Sequence, residues 1–342
     1  MAPLRVEWNG GVSVSYGDTR VLFDPQKRGH ESSRVFITHA HLDHAGVSNR
    51  LNSEKHSTKE TMDLLMIYRR RISWWKPISY REKIRVGDLE VVAHNAGHVL
   101  GSSLYEIVSP EGTVVYTGDF QFRDTFTLKA AEAVPCDILI LEATFGSPSF
   151  IFPDREDVAS KMVQWALSLL KRGKTPTFRA DSLGNAQEII RAFNILTDIP
   201  VVVHPTIEKI NKIYQAYGCR LEFLSLRCEE AEEVLSSGGG ILVTPKAVKF
   251  GNPSRFETAF VSGWALWFRS RGSASFALSD HADFQQLMEF VEECEPKTVL
   301  TCFSEKFDRT LANHVARKFK IEARPLNLIK SEIYINSKPS YS

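Results

Sequence analysis

The chain reads as an α/β protein in which one α/β domain interrupts another. Three observations predict this. Residues 3–24 alternate apolar and polar side chains in three short runs, and further apolar runs recur as far as Leu141. From Gly146 to about Asn252, helical patterns alternate with short apolar strands, which implies a parallel sheet with helices on its faces. From Phe260 the earlier style returns. The 342 residues suffice for one large domain or two ordinary ones, and 43% hydrophobic with 24% charged is ordinary globular composition.

In order, Leu4–Trp8, Val12–Tyr16 and Arg20–Asp24 form an antiparallel meander with one wet face, turned at Asn9-Gly10-Gly11 and Gly17-Asp18. Asp24 closes the third strand before a proline, either as a turn cap or as part of a site. Arg34–Thr38 reads as a short buried strand. His39, His41, Asp43 and His44 follow it at once. His39 and His41, two residues apart at a strand end, point to the same side and can share one ion. Asp43 and His44 face a neighbouring position, where a second ion fits. Imidazole and carboxylate are the ligand types that hold zinc. The alternative is a solvated polar turn.

Lys59–Arg71 reads as a helix ending in basic and aromatic residues. Arg69, Arg70, Arg71 and Trp74 suit either a grip on phosphates with base stacking or a solvated helix end. Strands follow at Lys83–Val86, Leu89–His94, Leu104–Val108, Thr113–Thr117 and Asp137–Leu141. His98 comes after one of them, between Gly97 and Gly101, whose small size lets backbone approach a crowded centre. Asp119 and Glu142 close two others, and a carboxylate at the mouth of an apolar strand needs a partner.

The interrupting stretch carries helices Arg155–Lys171, Gly184–Leu196, Thr206–Tyr217 and Glu229–Ser236. Strands Thr175–Arg179, Pro200–Val203, Arg220–Leu224 and Gly240–Thr244 alternate with them. It contains His204 but no metal-ligand cluster. Beyond it, Val261–Ala265 and Ser273–Ala277 read as strands around the basic turn Arg269-Ser270-Arg271. Leu278-Ser-Asp-His281-Ala-Asp leads into a helix to about Cys294, a strand Lys297–Cys302 and a helix Glu305–Phe319. The tail Ser337–Ser342 is expected to be disordered.

Net charge is +1, so any nucleic-acid binding must come from a local patch. The five cysteines are scattered without CxxC spacing, which argues against a disulfide framework or cysteine-bound zinc. The N-terminus lacks the apolar core of a signal peptide, and no apolar run approaches the ~18 residues of a membrane span. No membrane partner and a reducing, cytoplasmic setting are therefore expected. The pattern carries no signal for oligomeric state.

Read together, the strand-end residues Asp24, His39, His41, Asp43, His44, His98, Asp119, Glu142 and His281 resemble the metallo-β-lactamase fold and its β-CASP nuclease branch. The earlier positions look like the lactamase-fold metal motifs. Glu142, the insertion after it and Ser279-Asp-His281-Ala-Asp look like the β-CASP additions. The resemblance spans roughly 1–336 and looks closest to ligase-associated DNA exonucleases at Val261-Ser-Gly-Trp and Leu278-Ser-Asp-His-Ala-Asp. Leu183-Gly-Asn-Ala-Gln187 is similar to an element of the family's inserted domain. One position departs. RNA-processing and ligase-associated members carry a His-Gly pair after the last buried strand, where this chain has Phe303-Ser304. Artemis-type DNA-directed members carry an apolar residue there.

The resemblance implies an αββα sandwich over 1–145 and 256–342 and an inserted α/β (β-CASP) domain over 146–255. It implies a zinc-dependent nuclease, with DNA favoured over RNA and exonuclease action expected. Protein partners of the DNA-repair or ligase-linked kind follow from the same likeness. One ion is assigned to His39, His41, His98 and Asp119. A second, weaker ion, for which Mn²⁺ or Mg²⁺ also serves, is assigned to Asp43, His44 and a bridging Asp119, since a carboxylate has two oxygens to share. Asp43 and Asp119 thereby join the catalytic set. His281 is the expected general acid, Glu142 its hydrogen-bond partner that raises its pKa, and Asp24 an orienting group. Arg269 and Arg271 join Arg69–Arg71 and Trp74 as nucleic-acid contacts. The rivals are a small-molecule hydrolase of the same fold, opposed by the insertion, and a silent binding module, opposed by the complete first ligand set.

Overall fold

The computed structural model describes residues 3–27, 34–46, 53–68, 73–248, 255–268 and 273–328. The chain divides into two compact units. The first holds Met1–Arg123, Ala130–Ser149 and His281–Ser342, the second Asp124–Lys129 and Phe150–Asp280.

In the first unit, β1 (Leu4–Trp8), β2 (Val12–Tyr16) and β3 (Thr19–Phe23) form the expected antiparallel meander. β4 (Arg34–Phe36) adds to β3 in parallel and is followed by α1 (Leu42–Ala45). β5 (Lys55–Ser57), α2 (Lys59–Ile67) and β6 (Trp75–Pro77) complete this sheet. A second sheet begins with the antiparallel strands β7 (Lys83–Val86), β8 (Leu89–Asn95), β9 (Ser103–Ser109) and β10 (Gly112–Tyr116). β11 (Ile138–Glu142) pairs with β10 in parallel.

The chain then builds the second unit. Its elements are α3 (Arg155–Leu170), β12 (Thr175–Ala180), α4 (Asn185–Leu196), β13 (Val201–Val203), α5 (Pro205–Ala216) and β14 (Leu224–Ser225). There follow α6 (Glu229–Ser236), β15 (Ile241–Pro245), β16 (Phe256–Val261) and β17 (Ala274–Phe276). The sheet order is β14-β13-β15-β12-β16-β17, parallel throughout the described pairs. After it come α7 (Phe284–Cys294), β18 (Thr298–Cys302), α8 (Asp308–Phe319) and β19 (Glu322–Pro325), which rejoin the first unit beside β11.

Among the described residues, two buried clusters hold the first unit. Val6, Val14 and Phe23 of the first sheet meet Val91, Tyr105, Ile107 and Ile140 of the second in one buried cluster. The opposite face of the second sheet presents Leu104, Val115, Leu139 and Leu141 to Leu287, Phe290 and Val291 of α7 and Leu311 and Val315 of α8. This explains the unbroken apolar run of β11. Ile138 and Ile140 face one core, Leu139 and Leu141 the other, as the two-residue period of a strand requires. Each such side chain contributes about 1.5–3 kcal/mol by leaving water. α7 buries positions 287, 290, 291 and 294, a helical stripe, and Asp283 caps it by accepting from the Gln286 N–H at 2.9 Å.

The expected return to the first domain at residue 256 needs correction. β16 pairs with β12, Thr258 opposite Thr177, and β17 pairs with β16, so the second unit keeps the chain as far as Asp280. Alternation reads the same whichever sheet a strand joins, and the choice is made by long-range pairing. The expected strand Val261–Ala265 stops at Val261. Ser262 caps a 3₁₀ turn over Gly263–Leu266, its hydroxyl accepting from the Trp264 N–H. Residues 124–129 also join the second unit. The buried Glu188 carboxylate accepts from the Phe126 and Thr127 N–H groups and pairs with Arg155 at 2.8 Å. The Leu183–Gln187 stretch starts α4. Gly184 sits at φ 95°, Gln187 Oε1 accepts its N–H at 2.8 Å, and Gln187 Nε2 donates to Asn211.

Among the described residues no helix is long and apolar enough to cross a membrane, and all five cysteines are free thiols.

Candidate metal centre

The site belongs to the first unit and is built where strands of its two sheets end. β4 ends at Phe36, and the chain runs through Thr38 and His39 to His41, the residue that opens α1. β10 delivers Asp119 through Gly118. At φ 53° Gly118 passes so close to Thr38 that a Cβ would lie 2.6 Å from its methyl. Ser102 Oγ accepts from the His98 and Val99 N–H groups at 3.0 and 3.2 Å and shapes the turn that presents His98. Gly101, at φ 76°, leaves no room for a side chain, with Glu60 and Thr58 of the α2 start against it.

One ligand atom from each of His39, His41, His98 and Asp119 lies within 4.8 Å of the other three. His39, His98 and Asp119 are buried and His41 is half-buried, so the group opens on one side only. His39 Nε2 is buried without a hydrogen-bond partner, 3.6 Å from Asp119 Oδ2. Burial pushes the His39 imidazole well below the usual histidine range, and His44 adds to the effect. A buried, neutral ring nitrogen with a bare lone pair, aimed at a carboxylate, is the chemistry of a ligand. The four residues fit a divalent ion of the imidazole-binding kind.

Asp24 governs the tautomers. It is fully buried at φ 45° and accepts four hydrogen bonds: Thr38 N–H at 2.8 Å, Thr38 Oγ1 at 2.6 Å, Tyr116 OH at 2.8 Å and His44 Nδ1 at 2.8 Å. His44 therefore carries its proton on Nδ1 and turns Nε2 towards Asp119, at 3.4 Å. Thr38 Oγ1, having donated to Asp24, accepts from His39 Nδ1 at 2.9 Å, which leaves His39 Nε2 bare. Burial opposes charge on both His44 and Asp119. Their mutual attraction, with Asp24 beside His44, outweighs it, raising His44 and lowering Asp119. Thr38 and Tyr116 were not singled out from sequence. A hydroxyl directly before the histidine cluster was the available signal for Thr38; Tyr116 had none.

Beside this group, His281 Nδ1 stands 3.1 Å from Glu142 Oε2 and 3.2 Å from Oε1. Glu142 is fully buried, and its Oε1 also accepts the Phe120 N–H at 2.9 Å. The carboxylate at the strand mouth thus has its partners. Gln121, also missed in the sequence, holds the His281 carbonyl at 2.9 Å. The His281 ring lies 4.5 Å from that of His98, centroid to centroid.

The expected second set, Asp43 and His44 with Asp119, does not come together as a metal-holding group among the described residues: His44 is buried and Asp43 is exposed. Successive positions of α1 differ by about 100° in direction, so with His44 turned inward Asp43 faces out. Trp74 is exposed at φ 60°, while Arg69, Arg70, Arg71, Arg269 and Arg271 lie outside the described residues.

No family model matches the chain. By sequence it is similar to a probable DNA ligase of Opitutus terrae, 29% identical over 84% of this chain and 28% of the relative. It is 24% identical to transcription termination factor FttA of Methanothermobacter thermautotrophicus over 95% of this chain and 67% of that one. It is 29% identical to RNase aCSPSF2 of Saccharolobus solfataricus over 45% and 36%. These relatives fit the β-CASP branch of the metallo-β-lactamase fold, which the strand-end residues resemble. The same fold is seen in a crystal structure of a protein of unknown function from Enterococcus faecalis, with TM-score 0.66 and 16% identity over 88% of this chain and 94% of that one. The chain spans well under half of two of the three relatives.

Among β-CASP features, Phe303 is this chain's departure. Its ring lies 4.8 Å from that of His44, meets Trp8 edge-on at 5.5 Å, and approaches Tyr116 at 6.2 Å. Its backbone is left-handed, φ 70°, unusual for a bulky residue.

Proposed function

We propose that this chain is a zinc-dependent nuclease that hydrolyses phosphodiester bonds, with DNA favoured and strands shortened from an end. One observation carries the reading: the His39–His41–His98–Asp119 group, with the His281–Glu142 pair beside it. His39, His41, His98 and Asp119 would hold the ion. When bound, such an ion makes water a nucleophile near neutral pH and neutralises charge on the phosphoryl oxygens. His281 keeps its Nδ1 proton on Glu142 and, when charged, offers a second proton from Nε2 to the leaving oxygen. Asp24 orients His44 directly and His39 through Thr38. A second, weaker ion, Zn²⁺, Mn²⁺ or Mg²⁺, would fall to His44 and Asp119, with the exposed Asp43 beside them as the further ligand.

Phe303 leans the reading towards DNA, because Artemis-type DNA-directed members carry an apolar residue there in place of the histidine. Trp74, with 73% of its surface exposed, remains a base-stacking candidate with Arg69–Arg71, Arg269 and Arg271 as backbone contacts. The substrate is nucleic acid of the cytoplasm, and the likeness to a probable DNA ligase supports a repair setting. The second reading, an RNA-processing ribonuclease, is favoured by the likeness to RNase aCSPSF2.

The test incubates metal-loaded protein with end-labelled DNA and RNA, each single- and double-stranded. Faster release of end label from DNA is the expected result. Preferential loss of RNA turns the assignment to the ribonuclease reading. Stable nucleic acid with hydrolysis of small esters overturns both.

A further inference from the structure

A cavity of about 300 Å³ is lined by Phe303 together with Trp8, Gln26, Lys27, Asp308 and Asn327 among others. We infer that it seats the base of one unpaired nucleotide of the substrate, next to the cleaved bond and against the Trp8–Phe303 pair. The inference rests on the nuclease reading above.

Shape comes first. Trp8 and Phe303 both line the cavity and meet at 83° with centroids 5.5 Å apart, two aromatic rings of the kind on which a flat base stacks. The volume is at the small end of ligand pockets, room for a base rather than for a duplex.

Polarity then decides which part of a nucleotide enters. Glu305 and Asp308 line the cavity, and their carboxyls repel a phosphate. A base edge brings amino and imino donors to the same groups, and the amides of Gln26 and Asn327 offer donor and acceptor side by side. Burial pushes the Asp308 carboxyl up to about 7, so near neutral pH it either donates or accepts. One cation, Lys27, lines this cavity, while Lys306 and Arg309 line an adjoining one of about 480 Å³ that shares Glu305, Asp308 and Asn327. They suit the phosphates on either side of the base.

Position ties the cavity to the chemistry. Phe303 lines it, and the Phe303 ring lies 4.8 Å from that of His44, whose Nε2 is 3.4 Å from Asp119. The backbone agrees. A left-handed phenylalanine is strained, and such strain gathers where a side chain must be held in one place.

The test uses the metal-loaded full chain and single-stranded DNA in which one nucleotide at a time around the cleaved bond is made abasic. In the unmodified protein one position should raise KM by roughly 5- to 100-fold, the worth of one stacked base. That penalty should fall away in Trp8→Leu, which keeps apolar bulk in β1, and shrink in Asn327→Ala, which lies outside the sheets. A flat abasic scan with normal cleavage overturns the inference and leaves the nuclease reading standing. An unchanged penalty in both variants also overturns it. A chain that cleaves no nucleic acid removes the nuclease reading and this inference with it.

Discussion

Asp24→Asn isolates the group that sets the ligand tautomers. Asp24 accepts four hydrogen bonds between 2.6 and 2.8 Å in a fully buried setting. Asparagine keeps one acceptor oxygen and replaces the other with an amide that donates. Oδ2 takes the bonds from Thr38 Oγ1, Tyr116 and His44, so these three meet the amide. Tyr116 can turn its hydroxyl and accept. His44 must then accept on Nδ1 and move its proton to Nε2, where it faces Asp119 instead of an ion. Thr38 loses its acceptor, and its hold on His39 Nδ1 is disturbed. Removing one partner from a buried charged network costs about 3–5 kcal/mol, and altering a group behind metal-binding histidines weakens metal affinity about 10–100-fold. The assay is a chelator competition for zinc at a temperature where circular dichroism shows the variant folded, with denaturant unfolding alongside. Wild-type zinc affinity together with wild-type stability would refute the tautomer argument. Lost stability with unchanged affinity would confine Asp24 to a structural role.

His281→Ala should keep the first metal and slow hydrolysis by about 10²–10⁴-fold; a substrate with a much better leaving group should recover part of that loss, and absence of recovery gives His281 another role. Phe303→His puts an imidazole beside His44 in place of the ring now 4.8 Å from it. It should raise zinc content from nearer one to nearer two equivalents by elemental analysis, at about 1–3 kcal/mol of stability for lost apolar packing; two tightly held ions in the unmodified protein would show that another residue supplies the ligand. Asp308 yields a pH prediction. Its folded pKa, raised to about 7 by burial, exceeds the unfolded value near 4, so over that window the native state holds a proton that the unfolded chain has lost. Stability from this group therefore falls as pH rises from about 4 to about 7 and is level above. In Asp308→Asn, denaturant unfolding at pH 5 and pH 8 should show a smaller fall than in the unmodified chain; equal falls would place the group in water.

Much of the site is local in the sequence, and that part was legible there. His39, His41 and His44 come from one short segment after a buried strand. His98, Asp119, Glu142 and His281 each stand just beyond a strand or at its last residue, as strand-end carboxylates and histidines led one to expect. The meander β1–β3 and the alternating helices and strands of the second unit also follow from short-range periodicity. Which face a side chain takes in a four-residue helix is not local. Asp43 and His44 look equivalent as neighbours in sequence, and only the packing that buries His44 against Asp24 turns Asp43 outward.

Sheet membership was the other thing sequence left open. Residues 256–276 have strand patterning that suits either unit, and the pairing of β16 with β12 across some eighty intervening residues decided it. The partners of the site's ionisable groups were likewise fixed by tertiary structure. Tyr116 is 92 positions from Asp24 and Glu142 is 139 from His281, and no periodicity links residues so far apart. Alternation and spacing are properties of a few adjacent residues, and they determined the ligand types and the strands that end at them. Tautomers, the outward turn of Asp43 and the aromatic pair at Phe303 depend on which distant groups burial brings within hydrogen-bonding or stacking reach, and only the folded chain decides that.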